Sequence, residues 1–97
     1  MRRIGFRQIA AAELRAIGTS TKVRWGNEQA AIYVAELRDR IKSLSQFPLR
    51  FPEFGSEKPG LRKMTCGHHV VFYMVTGEQI EIVRILHEAM DIDGRLG

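Results

Sequence analysis

Two glycine-led dipeptides, Gly67-His68 and Gly77-Glu78, stand ten residues apart in a stretch otherwise made of strand-forming residues. Each places glycine at the position that needs φ > 0 in a type II′ turn, and such turns match the twist of antiparallel strands. Val70-Val71-Phe72-Tyr73 lies between them, and Ile80-Glu81-Ile82-Val83-Arg84-Ile85-Leu86-His87 follows the second. Both runs are rich in β-branched and aromatic side chains. With Gly60-Leu61-Arg62-Lys63 ahead of the first turn, this predicts a three-stranded antiparallel meander in the carboxy-terminal third.

If both turns have two residues, the register follows by counting. Cys66 faces His69, Arg62 faces Tyr73, Val71 faces Arg84 and Tyr73 faces Ile82. One face then carries Arg62, Met64, Cys66, His69, Val71, Tyr73, Ile82, Arg84 and Leu86, and the other carries Leu61, Val70, Phe72, Met74, Val83 and Ile85. The second set is the more uniformly apolar, so it is expected to pack on helices. The mixed set is the expected working face.

The remainder supplies those helices. Arg3-Ile4-Gly5-Phe6-Arg7 suits a short edge strand guarded by arginines. From Gln8 the period becomes helical, with Ala10, Leu14 and Ile17 on one face. Gly18-Thr19-Ser20-Thr21 predicts a fray or kink, because Gly costs about 1 kcal/mol against Ala and the hydroxyls compete for backbone partners. Gly26 breaks the helix, and Asn27 is the expected N-cap of a second one, with Glu28 in its first turn. Ala30, Tyr33, Val34, Leu37, Ile41 and Leu44 form its apolar stripe up to Pro48. So short a joint predicts an antiparallel helix hairpin. All three prolines fall between 48 and 60 and mark a surface loop.

Composition narrows the function classes. A chain of 97 residues supports one domain, 1–97, burying roughly 60–65% of its unfolded surface. At 44% hydrophobic and 27% charged it falls in the ordinary globular range, which argues against a disordered chain. No apolar run approaches the ~18 residues of a membrane span. Arg2 and Arg3 are not followed by the apolar segment of a secretory signal, so a cytoplasmic protein is expected. Cys66 is the single cysteine, without an internal disulfide partner. The net charge of +4 suits a nucleic acid or an acidic protein, but no Lys/Arg block forms a nucleic-acid tail.

Arg62, His69, Tyr73 and Arg84 could converge on the mixed face, offering two guanidiniums and two proton-transfer groups. The plainer reading is a sheet face with ordinary cross-strand contacts. His87 lies an odd number of residues from Arg84, so the two point to opposite faces. His68 is expected to be a turn residue, and Trp25 an anchor of the helix-hairpin core. Adjacent histidines make poor metal geometry, so no metal or cofactor is expected. Cys66 lacks an evident base and no glycine-rich phosphate loop precedes a helix.

Taken in order, Arg24-Trp25-Gly26, Gln29-Ala30, Tyr33, Gly60-Leu61-Arg62, Val71-Phe72-Tyr73 and Arg84-Ile85-Leu86-His87 with Met90-Asp91 resemble the ParE toxins of the RelE/ParE superfamily. That resemblance implies an α+β fold: a short amino-terminal strand, then an antiparallel two-helix hairpin packed on a mainly antiparallel sheet with a three-stranded meander. It also implies the toxin half of a type II toxin–antitoxin module that blocks DNA gyrase without catalysis. The implied partner is a ParD-type antitoxin with an acidic segment that folds on the toxin, DNA being contacted only through that antitoxin. Arg62, Tyr73 and Arg84 are then the expected antitoxin contacts, and His87, Met90 and Asp91 mark a tail expected to govern toxicity. The alternative is a RelE-type ribosome-dependent mRNA endonuclease, in which Arg62, Arg84 and His69 would serve. The tail after His87 has no tyrosine, and its acids would repel a phosphate backbone.

Overall fold

The computed structural model describes residues 2–55, 58–90 and 92–96. Strand β1 (Arg3–Phe6) leads into helix α1 (Gln8–Trp25) and helix α2 (Asn27–Ser43). Strands β2 (Arg62–Cys66), β3 (His69–Thr76) and β4 (Gln79–His87) follow, then a short helix α3 (Ile92–Leu96). The sheet order is β1-β4-β3-β2, with β1 parallel to β4 and the meander antiparallel. Gly67 and Gly77 take φ of 60° and 58° in the two-residue turns, the left-handed region where glycine carries no Cβ penalty.

Helix α1 runs unbroken through Gly18-Thr19-Ser20-Thr21 instead of fraying. The hydroxyls that were expected to compete with the helix bond back into it: Thr19 to the Arg15 carbonyl and Thr21 to that of Ile17. Gly26, at φ 91°, ends α1 by donating its N–H to the Lys22 carbonyl. It also takes the N-cap position of α2 that Asn27 was expected to hold, with no side-chain cap bond. Ala10, Leu14 and Ile17 of α1 are buried, as are Ala30, Leu37 and Ile41 of α2 and Leu44 just after it. Each large aliphatic side chain among these contributes roughly 2 kcal/mol of burial.

The pairs Arg62–Tyr73, Cys66–His69 and Tyr73–Ile82 form as counted. Beyond Tyr73 the register shifts, so that Val71 meets Ile85, and Arg84 meets Phe72. Val83 is the extra residue of a β-bulge, which inserts one residue into one strand and re-aims those that follow. The expected faces also invert. Met64, Cys66, Val71, Tyr73, Ile80, Ile82 and Ile85 pack with the helices, whereas Leu61, Val70, Phe72, Val83 and Leu86 form a second core with Phe54, Met74, Ile92 and Leu96. Apolarity could not choose the side because α3 and the loop cover the second face as well.

That loop also protects the sheet. Glu53 bridges to Arg62, the Lys63 N–H reaches the Pro52 carbonyl, and the Phe54 N–H reaches that of Leu61. Residues 52–54 therefore occupy the outer edge of β2, which would otherwise offer unpaired backbone groups.

Candidate functional site

Of the three positions expected to bind a partner, Arg62 and Tyr73 are register neighbours and Arg84 lies on the other face. Tyr73 is completely buried, and its hydroxyl donates to the Pro48 carbonyl at 2.8 Å. Burial pushes its phenol above the ordinary range. Its expected role as a surface contact is therefore replaced by a core role, because no part of the side chain reaches solvent. Arg62, across the strand pair, donates to the Phe51 carbonyl at 2.6 Å. Arg84 lies on the opposite face, where the bulge directs it. Its Nε and Nη2 grip the Glu13 carboxylate at 2.8–3.2 Å, and Nη1 donates to the Arg95 carbonyl at 2.7 Å. Glu13 Oε1 also accepts the Ile85 N–H at 2.8 Å. One carboxylate thus closes the β4 edge just past the end of β1 and holds the guanidinium in place.

The groups that do converge are elsewhere, where the tip of the helix hairpin meets the β2–β3 turn. His69 and His87 are register partners on β3 and β4, with ring centroids 5.2 Å apart and planes nearly perpendicular. Tyr33 of α2 reaches over the turn. Its hydroxyl accepts the His68 N–H at 3.1 Å and lies 2.6 Å from His69 Nδ1. Gly67 permits this approach, since a Cβ there would sit 2.7 Å from the Tyr33 hydroxyl oxygen. His68 stacks on His87 at 6.3 Å and donates from Nδ1 to Glu88 at 2.9 Å. His87 Nδ1 accepts the Ala89 N–H at 3.0 Å. Together with Arg24, Trp25 and Gln29 these side chains line a cleft of about 680 Å³ floored by Ala16 and Ile17.

Trp25, expected to anchor the hairpin core, is 66% exposed, with the Arg24 guanidinium 5.7 Å from its ring centroid. The cleft escaped the sequence reading because its walls come from four separate elements. A signal existed, however: Arg24, Trp25, Gln29, Tyr33 and His87, on which the family resemblance was drawn, meet in this one place. Burial raises the Cys66 thiol above its usual range, which argues against a nucleophilic thiolate. Among the described residues, no group of three or more His, Cys, Asp or Glu is placed to hold a metal ion.

A model of the ParE toxins of type II toxin–antitoxin systems, of the parDE type, matches residues 4–92. This chain belongs to the ParE toxin family. It is 41% identical over 88 residues to Toxin ParE1 of Mycobacterium tuberculosis, covering 90% of each chain. It is 40% identical to Toxin ParE1 of Caulobacter vibrioides, covering 91% of each. Among solved structures, a chain of the chromosomal ParDE system from P. aeruginosa superposes with a TM-score of 0.78 at 30% identity, over 90% of this chain and 96% of that one. The isolated E. coli RelE toxin shares the fold alone, at a TM-score of 0.65 and 14% identity.

In this ParE-family chain the tail leaves the cleft and folds under the sheet. His87 lines the cleft, Met90 is exposed with its N–H on the His87 carbonyl, and Asp91 lies outside the described residues. Ile92 and Leu96 then pack on the second core. No helix among the described residues is long and apolar enough to cross a membrane.

The cleft predicts a pH dependence. Burial first, then the neighbouring His87 and His68, lower the pKa of His69 from its ordinary 6.5. With the folded-state pKa below the unfolded one, the unfolded chain binds the extra proton between the two values. Stability is therefore fully present above about pH 6.5 and declines as pH falls through that window. Urea melts between pH 7.5 and 5 are expected to show this decline, and His69→Gln should flatten it.

Proposed function

We propose that this ParE-family toxin arrests growth by binding DNA gyrase, without catalysis, in the cytoplasm, and that a ParD-type antitoxin neutralises it. The observation that carries the reading is the ParE toxin match over residues 4–92, supported by the identity to ParE toxins over most of each chain. The disposition of the polar groups supports a binding role. Arg62 and Arg84 are engaged by a carbonyl and a carboxylate, and Tyr73 is buried. None of the three is poised to move a proton on a bound substrate.

The antitoxin part rests on charge and on a relative. The solved P. aeruginosa relative comes from a ParDE toxin–antitoxin system, and a +4 toxin favours a partner with an acidic segment, since complementary charge speeds encounter. DNA would be reached only through that antitoxin. The tail that carries His87, Met90 and Asp91 is the proposed determinant of toxicity.

Expression in cells lacking the antitoxin is the test. The chain should stop growth and induce the DNA-damage response, and co-expressing the short acidic-tailed protein of the neighbouring reading frame should restore growth. Arrest with cut messenger RNA and no DNA-damage response would assign the RelE-type activity instead.

A further inference from the structure

We infer that the cleft between the helix-hairpin tip and the three histidines receives an acidic side chain of the antitoxin, its carboxylate held by Arg24 and the histidine Nε2–H groups and its backbone laid against Trp25. This rests on the antitoxin partnership proposed above and names where that partner is read.

The hydrogen-bond directions define the donors. A backbone N–H can only donate, so the Ala89 N–H makes His87 Nδ1 an acceptor. The Tyr33 oxygen accepts the His68 N–H and lies 2.6 Å from His69 Nδ1, to which its own proton can be donated. Neutral His87 therefore carries its proton on Nε2, and neutral His69 does so where Tyr33 is the donor of their bond. His87 thus offers the cleft an N–H donor, and His69 adds a second in that tautomer.

Arg24 adds the charge. Its guanidinium has the Trp25 ring as neighbour, and no hydrogen bond or ion pair engages it among the described residues. It remains available for a bidentate carboxylate. Gln29, Ser20 and Thr21 extend the polar lining, and Ala16 and Ile17 add apolar surface. An exposed tryptophan and arginine beside a half-buried tyrosine are the composition of a protein-binding hot spot.

The same features favour a peptide over a nucleic acid. One guanidinium and two neutral N–H groups match a single carboxylate, whereas a phosphate backbone brings a charge at every nucleotide. Glu88 stands at the rim, bound to His68, and its carboxylate is held below the usual range chiefly by that hydrogen bond. A second phosphate would meet this negative charge, while an apolar residue beside the acid would meet Trp25.

The chain has one tryptophan, so intrinsic fluorescence reports on the cleft itself. Titrating the full-length toxin with its purified antitoxin is expected to shift Trp25 emission to the blue. Arg24→Glu, read by this signal, and Trp25→Ala, read by titration calorimetry, should each raise Kd at least tenfold, with circular dichroism confirming the fold. Arg38→Glu, the same charge change at an exposed site on α2, should raise it less than threefold. Equal weakening by Arg24→Glu and Arg38→Glu would overturn the inference while leaving the antitoxin partnership standing. Failure of the wild-type chain to bind the antitoxin would overturn both. Quenching of Trp25 by a single-stranded oligonucleotide, but not by the antitoxin, would overturn it in favour of nucleic acid.

Discussion

Replacing Tyr73 with alanine is expected to destabilise the fold by about 4 kcal/mol, the cost of deleting a fully buried aromatic ring. For a domain of this size each 1 kcal/mol lowers the melting midpoint by roughly 4–8 °C, so the loss should approach the whole stability of the domain. The ring joins both helices to β3 in the main core, and its hydroxyl ties the post-helix loop at Pro48. Tyr73→Phe keeps the packing and loses that one bond, at about 1 kcal/mol. Denaturant melts of the two variants separate the contributions. A Tyr73→Ala variant of unchanged stability but impaired antitoxin binding would restore this residue to the surface role first expected of it.

The second large effect belongs to Glu13. Its side chain and that of Arg84 are both more than four-fifths buried, and its carboxylate also satisfies the Ile85 N–H. Glu13→Ala therefore leaves a shielded cation and a backbone donor without their partner. Removing one member of a fully buried pair costs about 3–5 kcal/mol, and the residual exposure here lowers the expectation to about 2–3 kcal/mol. Arg84→Met should cost less, because Glu13 keeps the Ile85 N–H. A double-mutant cycle should give a coupling above about 1 kcal/mol. Near-additive losses would show that Glu13 and Arg84 act separately at the strand edge.

How far the residues alone could be read varies along the chain. The strand–hairpin–meander order was legible because Gly67 and Gly77 punctuate strand-forming runs, and both turns fix their local register by geometry. The pairings Arg62–Tyr73 and Cys66–His69 followed from the first turn. Val83 was not legible as a bulge, since an inserted residue leaves no mark in an apolar strand, and every residue after it changed side. The direction of the sheet was misjudged for a different reason. Arg62, His69 and Tyr73 looked too polar to face helices, yet Phe51, Pro48 and Tyr33 supply hydrogen-bond partners that make burial tolerable. Trp25 failed in the opposite sense: a large apolar side chain was assigned to the core, whereas it stands at the mouth of a cleft.

These corrections bear on function. The arginines that suggested phosphate binding are engaged within the protein, while a cleft of aromatic, histidine and arginine side chains opens at the hairpin tip. A toxin of this construction is expected to act by occupying a surface of its target. The direct test is to add the purified chain to gyrase and relaxed plasmid, and in parallel to ribosomes translating a defined message. Loss of supercoiling with the message left intact is the predicted result, and a cut message with supercoiling undiminished would contradict it.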